Sequence, residues 1–428
     1  MFSQAKFYDK LSIAQLKKNS VDFNSFRDYH LLYGREVLLY RTFSVKVDAM
    51  KNEKIEKAVE LGKSAEMIVF EAEPFNGGAA VEGLIDNFIT ETPLFYVRNH
   101  GTIPDIMAAD FRLQVGGMVE KKLELSLAEL KTRFETHSIT ATMQCAGNRR
   151  DEMIAVREIP GEVPWLAHAI SCGEWRGVRL ADVLKVAGVE SGARHVAFDG
   201  ADEVTKNLQT NFGGSIPLEK AMADEVLLAF EMNGEELLPI HGAPLRVVVP
   251  GYIGARSVKW LTKITVQAEP SDNHFQAAAY KIFPPQINKS NVDWSQGLML
   301  GEALINSVIC EPQAEAELKA GKTTLRGYAT SGGGRSVERV DVSIDGGENW
   351  LTAELLDPKK DASGEPNPSE WAWRFWQCEA ELTAETNELI VRAYDAAANT
   401  QPDNIAPLWN FKGYMNNGWH RIKVRVER

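Results

Sequence analysis

From Pro74 to the C-terminus the chain reads as short apolar runs broken by Gly, Pro and Asn, a texture that suits strands joined by loops far better than long helices. After about Asn306 the pattern is cleanest. Val340-Asp-Val-Ser-Ile-Asp-Gly-Gly-Glu-Asn-Trp350 alternates apolar and polar residues into an Asp-Gly-Gly turn, and Leu389–Asp395 is a second half-buried strand. Trp371, Trp373, Phe375 and Trp376 supply bulky core, so this part is expected to form a β-sandwich of immunoglobulin type. Gly332–Gly334 reads as a flexible loop and Lys359–Pro368 as a polar one.

Between Pro74 and Asn306 strands mix with short helices. Pro93–Pro104 predicts a strand ending in a loop that displays Arg98, Asn99 and His100, and Phe111–Gly117 predicts a strand with a glycine turn. Ser126 followed by Glu129 is a helix-start signature, and Arg179–Gly188 is a helix with a glycine stop. Ala243–Trp260 holds an apolar strand, a glycine loop and a second strand, with His241 just before it. Upstream, Val47, Met50, Ile55, Ala58, Val59 and Leu61 fall on one helical face, an amphipathic packing or partner surface.

With 428 residues the chain exceeds one ordinary core, and three segments are expected: an extension over 1–73, an α+β domain over 74–305 and the sandwich over 306–428. A net charge of -12 argues against broad nucleic-acid or anionic-membrane binding, so an anionic ligand must be caught by a local arginine cluster. Cys145, Cys172, Cys310 and Cys378 lie at no zinc or disulfide spacing. No haem-attachment motif, dinucleotide fingerprint, export signal or membrane-length apolar run is visible.

The stretch richest in chemistry is Thr142-Met-Gln-Cys-Ala-Gly-Asn-Arg-Arg150, delivered to a loop by the strand predicted over Ser138–Gln144. Cations beside Cys145 favour the thiolate, the form that binds metals or attacks electrophiles. Gly147 is expected to open room for a bulky cofactor, and Asn148 to tolerate a tight loop. In an extended segment Arg149 and Arg150 face opposite ways, one toward a cofactor phosphate and one toward a substrate anion. An inert core cysteine in a turn is the alternative reading of these nine residues.

Seven motifs together change that balance. Tyr96-Val-Arg-Asn-His100, Met143–Arg150, Leu228-Ala-Phe-Glu-Met-Asn-Gly234, His241-Gly-Ala-Pro-Leu-Arg246, Pro250-Gly251 through Lys259-Trp260, Asp341–Gly347 and Asn417-Gly-Trp-His-Arg421 occur in the order found in the sulfite oxidase family, which the chain resembles from about Pro74 onward. The resemblance implies a mixed, largely β molybdopterin-binding domain of α+β class, followed by an immunoglobulin-like domain through which such enzymes dimerise. It places Cys145 on the molybdenum ligand and Tyr96, Val97, Arg98, Asn99, His100, Asp202, His241, Arg246, Ser257, Val258 and Lys259 on cofactor contacts. It places Arg98, Arg150, Trp165, Tyr280 and Lys412 around the substrate. Two departures stand out: Lys412 replaces the usual arginine and loses its bidentate fork, and Ala279 replaces an acidic residue before the tyrosine.

The activity so implied is oxidation of sulfite to sulfate on Mo-molybdopterin in a homodimer. Without a haem in the chain, electrons leave to an external acceptor, a c-type cytochrome being the expected one. Nitrate reduction on the same fold is the near alternative, toward which Lys412 and Met415–Asn417 lean, and reduction of S- or N-oxides is a further one. A metal-free binding protein is the alternative from another class. The start Met-Phe-Ser-Gln-Ala-Lys favours a cytoplasmic location, or a periplasmic one if the chain is a processed form.

Overall fold

The computed structural model describes residues 52–204, 210–356 and 370–427. The chain divides into two compact units, 1–53 and 54–428, and the fold and site belong to the second. Val47, Met50 and the Lys359–Pro368 segment lie outside the described residues. Residues 52–60 are helical, with Ala58 buried and Ile55 half-buried, but Val59 is 56% exposed and does not join the buried face.

The first region is built on two five-stranded sheets. In one, Ile170–Arg179 lies between Thr136–Gln144 and Leu227–Met232, all antiparallel, with Glu235–Glu236 and Arg246–Val248 also pairing Leu227–Met232. In the other, Leu261–Gln267 runs parallel to Leu113–Gly117 and antiparallel to His195–Gly200. The parallel pair needs a long crossover, which here includes the loop at Cys145 and the segment from His241 to Lys259. Between the sheets sits the main core, with Leu113, Leu125, Val178, Leu184, Val196, Phe198, Leu228 and Ile264 fully or almost fully buried. The helix Leu127–Arg133 begins with a reciprocal cap between Ser126 and Glu129, and Leu180–Ala187 ends at Gly188 with φ 71°. Both follow the local signals in the sequence.

A three-stranded sheet of Ile68–Ala72, Phe75–Gly78 and Val97–Arg98 caps this region. The expected strand after Pro93 is therefore only two residues long, because its neighbours are committed to the loop beyond it. The second strand expected within Ala243–Trp260 is absent. Gly254–Arg256 is a 3-10 turn, and the next strand starts at Leu261 after Trp260 at φ 51°.

The C-terminal region is a sandwich of two sheets. Asn306–Glu311, Gly321–Thr330, Arg374–Leu382 and Glu354–Leu356 form one; Ala316–Lys319, His420–Glu427, Glu388–Asp395, Val337–Ser343 and Leu351–Thr352 form the other. Trp376, Leu325, Val340, Val342, Leu389 and Val391 fill the space between them. Asp341 pairs with Thr352 across the Asp-Gly-Gly turn, as the alternation requires. The loop Gly332–Gly334 is packed rather than free. A Cβ at Gly332 would stand 2.1 Å from the Ala303 carbonyl oxygen, and one at Gly334 would stand 2.7 Å from the Trp371 ring.

Candidate active site

Cys145 leaves the end of Thr136–Gln144 in a tight turn. Its N–H donates to the Ala169 carbonyl (2.9 Å), Asn148 N–H donates back to the Cys145 carbonyl (3.0 Å), and Gly147 N–H points at Sγ (3.4 Å). The Asn148 side chain accepts from Ala169 N–H (2.9 Å), so the turn is tied to the neighbouring strand. Arg149 then adopts a left-handed conformation (φ 61°) and starts the helix Arg150–Val156. The two arginines are thus not extended. They still diverge, but neither lines the cavity at Cys145: Arg149 is wholly buried and donates to Glu152 (2.6 and 2.7 Å) and to Asn306 (2.7 Å). The space left by Gly147 also goes elsewhere, since a Cβ there would lie 2.3 Å from Arg150 Nη2. The missing side chain makes room for a guanidinium.

Cys145 opens on a cavity. Burial pushes the Cys172 thiol up to about 12 and that of Cys310 higher still, and neither lines the cavity. Around Cys145 the fold gathers Tyr96, Val97, Arg98, Asn99 and His100 from one loop, His241 and Arg246 from a second, Ser257 and Lys259 from a third, then Asp202 and Tyr280. Val258 is the exception among the expected cofactor contacts. It packs in the main hydrophobic core, while Ser257 and Lys259 on either side of it line the cavity.

Charge in this cavity is predominantly positive. Arg98 donates to Asn76 (3.2 Å) and to the Asn99 carbonyl; Arg246 donates to the His241 and Ser257 carbonyls (2.9 and 3.0 Å); Lys259 donates to Asn99 Oδ1 and the Ile240 carbonyl (3.0 Å). Their hydrogen bonds go mainly to neutral oxygens, and burial, then Arg246, hold the Lys259 amine well below its usual range. Burial, and next Arg98, Lys259, Lys412 and Arg150, hold His100 far below the usual imidazole range. Burial also raises the Tyr280 phenol. The Tyr280 hydroxyl and His100 Nε2 stand 3.0 Å apart, a hydrogen bond whose donor is set by the tautomer of the ring.

The expected substrate residues divide into two sets. Arg98 and Tyr280 line the cavity, whereas Trp165, Arg150 and Lys412 do not. Trp165 is wholly buried beside Phe70, its indole N–H without a partner among the described residues. Arg150, 2% exposed, donates to the Val163, Lys412 and Gly413 carbonyls and lies over the Tyr414 ring. Lys412 ends in an ion pair with Glu162, both side chains largely buried. The lysine that replaces an arginine thus has its charge answered by a carboxylate.

Three residues escaped the sequence reading. Glu162 holds Lys412 and stands 3.9 Å from Arg150. Tyr414 stacks on Tyr280 with ring centres 5.1 Å apart. Lys63, 4% exposed, donates to the Thr92 carbonyl and stands 2.9 Å from His241 Nε2. No local pattern marks the first or last, whereas Tyr414 directly follows Gly413 in the segment already singled out for Lys412.

Comparison with known proteins gives consistent results. A family model described as an oxidoreductase molybdopterin binding domain matches residues 100–275, and one for a Mo-co oxidoreductase dimerisation domain matches 299–427. Sulfite oxidase of Arabidopsis thaliana is 41% identical over 366 residues, covering 83% of this chain and 92% of the plant protein. Mitochondrial sulfite oxidase of Mus musculus is 44% identical over 360 residues, covering 82% of this chain but 64% of the mouse protein, so the chain spans under two thirds of that relative's length. An NADH nitrate reductase of Brassica napus is 39% identical over 374 residues, covering 82% of this chain and 40% of the Brassica protein. Among solved structures, the sulfane dehydrogenase SoxCD from Paracoccus pantotrophus superposes with a TM-score of 0.66 at 28% identity, covering 82% of this chain and 87% of that one. The chain belongs to the sulfite oxidase family of molybdopterin-dependent oxidoreductases.

Proposed function

We propose that the chain oxidises sulfite to sulfate at the Cys145 cavity and passes the electrons to an external acceptor, a c-type cytochrome being the expected one, as a homodimer formed through its C-terminal domain. The observation that carries this reading is the convergence on one cavity of a thiol with Arg98, Arg246, Lys259, His100, His241 and Tyr280. Two buried polar atoms of cavity-lining residues, Asn99 Nδ2 and Arg246 Nε, have no partner among the described residues. Unpaired buried donors of this kind cost free energy unless a ligand meets them. An anionic, polar pterin would do so, and the donor set fits it.

Cys145 would hold the metal, and Arg98, Asn99, His241, Arg246, Ser257 and Lys259 would hold the pterin and its phosphate. When bound, the cofactor supplies the oxo transfer and takes up the two electrons. The chain's own part is to bind the anion and keep protons in place. Arg98 gives a fork of donors suited to an oxyanion beside Cys145. Tyr280 keeps its proton at neutral pH and is held at the cavity wall by its hydrogen bond with His100. Buried cations fixed before the substrate arrives stabilise charge without reorganisation.

The test adds sulfite to purified protein of known molybdenum content and follows ferricyanide or cytochrome c reduction, with dye-driven nitrate reduction in parallel. Sulfite-dependent reduction supports the reading. Turnover of nitrate alone would replace it with the activity named for the Brassica relative.

A further inference from the structure

We propose that Tyr414 is a positioning residue for Tyr280, its ring lying flat on the phenol and holding the hydroxyl beside His100 at the cavity wall. The inference rests on the reading that sulfite is oxidised in this cavity, which gives Tyr280 a place in the reaction. Tyr280 follows the short π-helical turn Phe275–Ala279, and its carbonyl accepts from the Leu300 N–H (3.0 Å). Its hydroxyl stands 3.0 Å from His100 Nε2. Ala279 before it has no polar side-chain atom with which to steady the phenol.

The rings of His100 and Phe212 meet Tyr280 edge-on, with centres 5.8 and 6.3 Å away, and the Arg256 guanidinium stands 6.0 Å from its centre. Among the described residues only Tyr414 stacks on it, with centres 5.1 Å apart and planes 8° from parallel. Burial raises both phenols, so both rings are neutral and the stack carries no charge repulsion. A tyrosine hydroxyl lies on the axis of its ring. It therefore leaves His100 only if the backbone shifts or the ring swings about the Cα–Cβ bond, and a ring against one face blocks the swing to that side.

Tyr414 is itself firmly held. Its N–H donates to Asn410 Oδ1 (3.1 Å), and its carbonyl accepts from Asn410 Nδ2 (2.9 Å). Arg150 donates to the carbonyls of Lys412 and Gly413 (3.0 and 3.2 Å), and its guanidinium lies 5.2 Å from the centre of the Tyr414 ring. The next residue, Met415, donates its N–H to the carbonyl of Ala146 (2.7 Å), which directly follows Cys145. The segment that backs the phenol is thus bonded to the turn that carries the thiol. One residue from the C-terminal region keeps Tyr280 and the Cys145 loop in register.

The test joins a double-mutant cycle in kcat and KM for sulfite with NMR of the purified protein, isotopically labelled at the phenolic carbon of tyrosine. The Tyr280 signal is the one absent from Tyr280→Phe. Tyr414→Leu should shift that signal and lower kcat about fivefold, within what an aromatic pair contributes, with KM changed less than about twofold. Tyr414→Phe keeps the ring and should leave signal and kcat as in the wild type. In a Tyr280→Phe background Tyr414→Leu should cost less than about twofold in kcat, because no hydroxyl remains to be placed. Should Tyr414→Leu fold poorly, Tyr414→Met runs the same cycle. An equal loss in both backgrounds, a loss in Tyr414→Phe as large as in Tyr414→Leu, or an unmoved Tyr280 signal overturns the proposal. The NMR contains no sulfite, so a wild type that ignores sulfite while its Tyr280 signal answers to Tyr414→Leu sinks the functional reading alone. An unmoved signal in a protein that oxidises sulfite sinks the proposal alone.

Discussion

Arg149→Met tests how the Cys145 loop is anchored. The guanidinium is wholly buried and donates twice to Glu152 and once to Asn306, the first residue of the sandwich, while Asn416 donates to the Arg149 carbonyl (2.9 Å) and to Glu152 (3.2 Å). Methionine keeps the length and the left-handed backbone and removes the charge. Breaking a buried ion pair costs about 3–5 kcal/mol, because the surviving charge is stranded. Glu152 keeps 22% of its side chain exposed, so solvent relieves part of that, and the expected loss is about 3 kcal/mol. Equilibrium urea unfolding of cofactor-free protein measures it. Glu152→Gln added to Arg149→Met should restore about 1–2 kcal/mol by removing the stranded charge. A loss below about 1 kcal/mol, or no recovery in the double variant, would refute the reasoning.

Two further outcomes follow from buried carboxyl groups. Glu162→Gln should free Lys412 from its ion pair and lower KM for sulfite about fivefold, the equivalent of about 1 kcal/mol, with kcat little changed; a raised KM would mean that Glu162 positions the pocket instead. Burial raises the Asp151 carboxyl to about 7, and its Oδ1 has no partner among the described residues. A carboxyl raised on folding binds more protons in the native state, so stability should decline as pH rises from about 4 to 7, and Asp151→Asn should abolish that decline and stabilise by about 2 kcal/mol at pH 8. Urea unfolding across that pH range checks it, and an unchanged slope in the variant contradicts it.

What could be read from the sequence was local or carried by the family resemblance. The cap of Ser126 on Glu129, the Asp-Gly-Gly turn and the strand leading to Cys145 each depend on neighbours a few residues away, and each is found where the pattern places it. Nearly all the cofactor contacts that the resemblance implied converge on one cavity, Val258 excepted. The partners that set local charge were not legible. Glu162 lies 250 residues from Lys412 and Lys63 lies 178 from His241, and no spacing rule joins them. The course of Arg149 and Arg150 is not the extended one for a related reason: the strand stops at Gln144, and Arg149, in a left-handed conformation at the start of a helix, is bonded to Asn306 and Asn416 far along the chain. Gly332–Gly334 looked free for lack of side chains, yet those absences let Ala303 and Trp371 close upon it.

The most direct measurement compares molybdenum and pterin content in the wild type and Cys145→Ser, each expressed with ample cofactor supply, together with sulfite-dependent acceptor reduction. With Cys145 as the metal's protein ligand, the wild type carries about one molybdenum per chain and oxidises sulfite, while the variant stays folded, loses most of the metal and ceases to turn over. Equal molybdenum and equal sulfite oxidation in the two proteins would contradict the assignment of Cys145 and of the cavity built around it.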